Sequence, residues 1–180
     1  MLLELNDVLI SGEPHTLSLM AVERQVACVV GSVRWLYAML GFEPVVAGFI
    51  SLDGEPLTPA TAPALRRQMA FAPNRLDDVG DIDRYAAPTV DDVFALRANR
   101  QHTVDSIDNE AALTGCTHTQ QARLLATAVL LQRPILLVDE PQLTMMTYLK
   151  RQAASGRIVI ISSTDDAIIG TADNVVGANQ

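Results

Sequence analysis

The sequence predicts an α/β fold in which a parallel layer carries an antiparallel β edge and a helical arm. Three observations carry that prediction. Val26 to Val30, Ile135 to Val138 and the run Ile158 to Ile161 after Arg157 are short and uninterruptedly apolar. That is the pattern of strands buried on both faces of a parallel sheet. Leu2 to Ile10 alternates loosely and is followed by turn residues and a second strand, Leu17 to Ala21, which suits an antiparallel pair. Helical segments separate the later strands, giving the α-β-α-β order of a layered domain.

The bulk numbers agree with one globular unit. A chain of 180 residues is long enough to bury roughly 70% of its unfolded surface in a single domain. Hydrophobic residues make up 49%, which excludes disorder as the default. A formal net charge of −8 argues against a nucleic-acid footprint, which needs a basic face. The two cysteines, Cys28 and Cys116, give neither a disulfide framework nor a zinc spacing and suit a reducing compartment. Cys28 lies inside an apolar strand and is expected in the core. The first residues lack the basic and apolar regions of a signal peptide. No run approaches ~18 apolar residues, so no transmembrane segment is expected. These features point to a cytoplasmic protein.

Taken in order, Leu2 to Ile10 reads as a strand, Gly12 to His15 as a turn, and Leu17 to Ala21 as its antiparallel partner. Glu23-Arg24-Gln25 turns the chain into the strand Val26–Val30, which ends at Gly31. Trp35 to Leu40 is a short helix closed near Gly41. Gly48 to Gly54 reads as strand and turn, Leu65 to Gln68 as a helical turn, and Met69 to Pro73 as a strand. Asp77, Asp78, Asp81 and Asp83 form an acidic loop without the ligand spacing of a calcium site. Thr89 caps a helix expected from Val90 to Ala98, with Asp91 and Asp92 favourable at its positive end. A further helix runs from Gln120 to Leu131, and Arg133-Pro134 launches the next strand. Met145 to Ala153 is helical, Gly156 closes it, and Val175-Val176 begins a last strand. His15, His102 and His118 are scattered and form no metal-ligand spacing.

The chemistry is concentrated at Ile135-Leu136-Leu137-Val138-Asp139-Glu140-Pro141. Two carboxylates follow a buried strand, at the end of the sheet where α/β proteins hold ligands. Asp139 would be placed to hold Mg²⁺, which wants hard oxygen ligands. Glu140 would be placed to orient or deprotonate a water. The bland alternative is a strand that ends in two solvated acids.

Four segments resemble the ATP-binding subunit of ABC transporters, over nearly the whole chain. Leu40-Gly41-Phe42-Glu43-Pro44 with Gly48-Phe49-Ile50-Ser51-Leu52-Asp53-Gly54 is similar to the family's LxGLxxPxxGxIxLDG run. Leu65 to Pro73 is similar to the approach to the Q-loop. Gln120 to Arg123, through Arg133-Pro134 to Pro141, is similar to the helix after the signature and the Walker B strand. Gly156 to Ser163 is similar to the strand before the switch histidine. The resemblance implies a P-loop NTPase-like (RecA-like) core at residues 1–73 and 119–180, with an antiparallel β subdomain, and a small helical subdomain at about 74–118. It also implies a catalytic Glu140 and a Mg²⁺ ligand at Asp139.

The chain departs from the family where nucleotide would lie. The family's phosphate loop is G-x-x-x-x-G-K-[ST], whose N–H groups and lysine neutralise phosphate. Here Gly31-Ser32-Val33-Arg34 runs straight into the helix, with Ser32 at the lysine position and Val33 at the hydroxyl that binds Mg²⁺. Lys150 is the only lysine, and Arg34 is the one nearby cation. Asn74 stands at the Q-loop glutamine, and Cys116-Thr117-His118-Thr119-Gln120 at the signature LSGGQ, or Leu113-Thr114-Gly115 in a shifted alignment. Thr164 stands at the switch histidine.

Three readings follow. The first is a shortened subunit with a decayed nucleotide site and a vestigial Glu140. It would need neither ATP nor Mg²⁺ and would dock on a membrane permease, possibly beside a second ATP-binding subunit, at the inner face of the membrane. The second is a divergent ATPase in which Arg34, Asp139 and Glu140 still serve ATP and Mg²⁺. The third is a soluble regulatory protein that kept the fold and left transport. Under the first, the apolar residues of the Asn74 to Ala98 segment are the partner surface, and replacing a solvated Glu140 costs little stability.

Overall fold

The computed structural model describes residues 1–75, 102–116 and 119–177. Among these residues there are two sheets. An antiparallel one holds β1 (Leu2–Ile10), β2 (Leu17–Val22), β4 (Val45–Leu52) and β5 (Glu55–Pro56), in the order β2-β1-β4-β5. A parallel one holds β3 (Val26–Val30), β6 (Met69–Ala72), β7 (Ile135–Asp139), β8 (Ile158–Ser163) and β9 (Asn174–Gly177), in the order β6-β7-β8-β3-β9. The helices are α1 (Arg34–Met39), α2 (Ala62–Arg66), α3 (Val104–Ala112), α4 (Gln120–Leu130), α5 (Met146–Ala154) and α6 (Asp166–Ile169). A 3₁₀ turn, Leu143–Met145, leads into α5.

The apolar strands explain the layering. Successive side chains of a strand face opposite ways. Ile135 and Leu137 of β7 therefore join one core, with Ala27 and Val29 of β3, Trp35 and Met39 of α1, and Leu3, Leu5 and Leu19 of the antiparallel sheet. Leu136 and Val138 join the other, with Cys28, Leu125 and Val129 of α4, Ile107 of α3, and Tyr148 and Leu149 of α5. A strand buried on both faces cannot alternate with polar residues, which is why these runs are uniformly apolar.

Most elements fall where the sequence puts them. β4 starts earlier than the expected Gly48: Val45 and Ala47 pair with Ile10 and Leu9 of β1, although Val45 to Phe49 are all exposed and show no alternation. The helical turn expected at Leu65–Gln68 is α2, three residues earlier, with Pro63 in its first turn. α3, capped by the Thr103 hydroxyl, and α6, capped by the Asp165 carboxylate, are additional. The acidic loop, the helix expected at Val90–Ala98 and most of the expected partner surface lie outside the described residues. Among the described residues no helix is long and apolar enough to cross a membrane.

Candidate functional site

The candidate site lies where β3, β7 and β8 end. β8 lies between β7 and β3, with Asp139 level with Ser162 and Val30 level with Ser163. That register brings Gly31, Asp139, Glu140, Ser162, Ser163 and Thr164 to one edge. The Gly31 N–H donates to the Ser163 carbonyl at 3.2 Å. Gly31 has φ +131°, a conformation that favours glycine.

Asp139 is only 5% exposed. Its Oδ1 accepts the Ser162 hydroxyl at 2.7 Å. This supplies a donor to a buried carboxylate that would otherwise be costly. Ser162 and Ser163 are themselves fully buried, so these strand-end hydroxyls are there for the acids and not for solvent.

Glu140 departs from the expectation of a solvated strand-end acid. It is half-buried, and its carboxylate accepts three hydrogen bonds. Ser163 Oγ donates to Oε2 at 3.0 Å, and the Thr164 N–H and hydroxyl donate to Oε1 at 3.1 and 3.2 Å. All three donors are neutral, and no ion pair among the described residues involves Glu140. The reason for the difference is local: the position after β7 faces the end of β8, and β8 ends in hydroxyls. The Glu140 backbone has φ +40°, an unfavourable region for a non-glycine residue. Two bonds hold it there. Its N–H donates to the Ser162 carbonyl at 2.9 Å, and Gln121 Nε2 donates to its carbonyl at 2.7 Å.

Gln121 is the site residue that sequence reasoning passed over. It is buried, and its amide also reaches the Asp139 carbonyl at 3.2 Å. Gln120, beside it, is exposed in the first turn of α4. The available signal was the helix phase: Gln121 shares a face with Leu124 and Leu125. Thr119 caps the same helix, its hydroxyl accepting the Ala122 N–H at 3.1 Å. Thr117 and His118 lie outside the described residues.

Burial pushes the Cys28 thiol up to about 11, with the Glu140 charge adding to the effect. A neutral, buried thiol therefore sits under the acids.

On the β3 side, only Gly31, Ser32 and Val33 connect the strand to α1. Val33 occupies the cap position and makes no side-chain cap bond. The guanidinium of Arg34 bonds Glu43 Oε1 at 2.7 Å and Glu13 Oε1 at 3.4 Å, and also the Ser11 carbonyl. The Glu43 hydrogen bond is the main cause that raises its pKa. Arg34 thus ties the β1–β2 turn to α1. Asn74 is half-buried beyond the end of β6, at the same end of the sheet as Glu140. Among the described residues no group of three or more His, Cys, Asp or Glu is placed to hold a metal ion.

The sequence matches no family model and no curated protein. Solved structures do match. An ATP-binding subunit of an ABC transporter aligns at 18% identity with a TM-score of 0.68, covering 99% of this chain and 86% of that one. CbiO1 from Clostridium perfringens, part of the ABC transporter complex cbiONQ, aligns at 17% and 0.67, covering 98% and 84%. A protein from Pyrococcus furiosus described as an ABC transporter ATP-binding protein aligns at 15% and 0.72, covering 99% and 98%. At these identities the likeness establishes the fold: this chain has the P-loop NTPase-type fold of ABC transporter ATP-binding subunits.

Proposed function

We propose that this chain is a structural or regulatory subunit of a membrane transport complex, with a nucleotide site that has decayed. The observation that carries this reading is the connection from β3 to α1. Three residues, Gly31, Ser32 and Val33, stand where a phosphate loop would be. Bound Mg-ATP needs a nest of N–H groups, a lysine on the phosphates and a hydroxyl on the metal. Val33 has no hydroxyl, Arg34 is held by Glu13 and Glu43, and Lys150 lies in α5 with Asp173 at 3.8 Å. The residues present do not fit the group, so neither ATP nor Mg²⁺ is proposed as a cofactor.

Asp139 offers a hard oxygen ligand and Glu140 a base, but neither has a task without a held phosphate. Their hydrogen bonds to β8 give them a structural one: they staple the ends of β7 and β8. The proposed partner is a membrane permease, with or without a second ATP-binding subunit, and the proposed location is the cytoplasmic face of the membrane. Membership of cbiO1 in a transporter complex is the analogy for that partner.

A second reading, a divergent ATPase, is favoured by the survival of both acids at the strand end. Glu140→Gln separates the two. In a working site this change blocks water activation and leaves nucleotide bound, so ATP-bound dimers accumulate. Gel filtration with and without Mg-ATP, beside a phosphate-release assay, should show the same profile for both forms and no release from either. An ATP-dependent dimer seen only in the variant would replace the decayed-site reading with the divergent ATPase.

A further inference from the structure

Four of the five parallel strands are entered through turns that carry arginine. Arg24 precedes β3, Arg66 and Arg67 precede β6, Arg133 precedes β7, and Arg157 precedes β8. These four strands are neighbours, and their starts are in register: Met69 with Ile135, Ile135 with Ile158, and Val26 with Val159. At about 4.8 Å per strand the turns form a row roughly 14 Å long. Hydrogen bonds join the turns, one from the Arg133 guanidinium and one from the Arg24 backbone. Arg133 donates to the Arg66 carbonyl at 3.1 Å, and the Arg24 N–H donates to the Arg157 carbonyl at 3.3 Å.

Helix capping accounts for part of this. Arg66 donates to the carbonyl of Leu40 at the end of α1, and Arg157 to that of Val129 near the end of α4. A helix end carries roughly half a negative charge, whereas each guanidinium carries a full positive one and five donors. Arg24 and Arg67 are exposed and make no such cap. The acids beside these turns are already engaged: Glu23, before β3, by the Met1 ammonium at 2.9 Å, and Asp173, before the neighbouring β9, by Lys150 at 3.8 Å. Among the described residues, no carboxylate pairs with Arg24, Arg66, Arg67, Arg133 or Arg157. Although the chain has a net charge of −8, this edge is basic among the described residues. Beside it, Phe42 is 65% exposed, with the Arg66 guanidinium 4.8 Å from its ring centre.

We propose that this end of the parallel sheet docks on an anionic lipid surface. Charge complementarity selects an anion, and arginine grips phosphate oxygens with two donors at once. A row of arginines with an exposed aromatic at its side fits the headgroup layer, where aromatic rings and cations share the interface. The proposal requires neither a nucleotide nor a permease, so it stands or falls separately from the function proposed above.

The test is co-sedimentation of the full chain with vesicles of equal parts phosphatidylglycerol and phosphatidylcholine, beside vesicles of phosphatidylcholine alone. Binding should appear only with the anionic vesicles and fade at high salt. Arg24→Gln and Arg67→Gln should each lower the partition coefficient about fivefold, and the pair roughly 25-fold. Melting curves confirm that these surface variants fold. Arg75→Gln, beyond the opposite end of β6, should leave partition unchanged. No binding to anionic vesicles, or equal binding by the double variant, would overturn the proposal. Binding to polyglutamate without binding to vesicles would overturn it in favour of an acidic protein partner.

Discussion

At the C-terminal end of the parallel sheet, Asp139, the last residue of β7, accepts the Ser162 hydroxyl, and Glu140, the next residue, is held by neutral donors. At the other end the charged side chains are mostly arginines, and no carboxylate pairs with five of them among the described residues. The usual arrangement of an α/β sheet concentrates anion-binding groups at the C-terminal end. Here Arg34, the basic residue that follows β3 at that end, is tied to Glu13 and Glu43, and the hydroxyls of β8 point at acids. The contrast teaches that retained carboxylates do not by themselves make a phosphate site. Under the proposed function, the hydrogen bonds around Asp139 and Glu140 are a structural device, while the arginines without a carboxylate partner among the described residues lie at the other end.

Substitutions at the two ends should therefore behave differently. Gln121→Leu should have the largest effect, because it strips a donor from two carbonyls and releases the strained Glu140 backbone. A loss of about 2–3 kcal/mol is expected in urea unfolding. A loss under about 0.5 kcal/mol would remove Gln121 from the account. Ser162→Ala takes one donor from the buried Asp139 carboxylate, and about 1–2 kcal/mol should be lost. If instead the variant is as stable as the parent, Asp139 does not depend on β8. Arg67→Gln, at the exposed edge, should change stability by less than about 0.5 kcal/mol. A drop as large as that of Ser162→Ala would make the arginine row a stability feature.

The layered fold was largely legible because buried strands announce themselves. Val26 to Val30 and Ile135 to Val138 have no polar interruptions, and burial on both faces requires none. β4 was read short because its first half, Val45 to Phe49, is exposed and carries no pattern. α3 was not expected because its sequence, VDSIDNEAA, buries only Ile107 and Ala111. At the site, the position of Asp139 and Glu140 could be read from strand-then-acid. Their partners could not, since Ser162 and Ser163 come 23 residues later and meet them only through sheet register. The arginine row was invisible for the same reason: one or two arginines before a strand mean little until the order β6-β7-β8-β3 sets the strand starts side by side.

The most direct test of the central claim is the melting temperature of the isolated chain with and without millimolar Mg-ATP. A ligand that binds only the folded state stabilises it by RT ln(1 + [L]/Kd). With three residues in place of a phosphate loop and Arg34 already paired, the account predicts no shift with ATP, ADP or AMP. An upward shift of several degrees with Mg-ATP, absent with AMP, would show a working triphosphate site and contradict it.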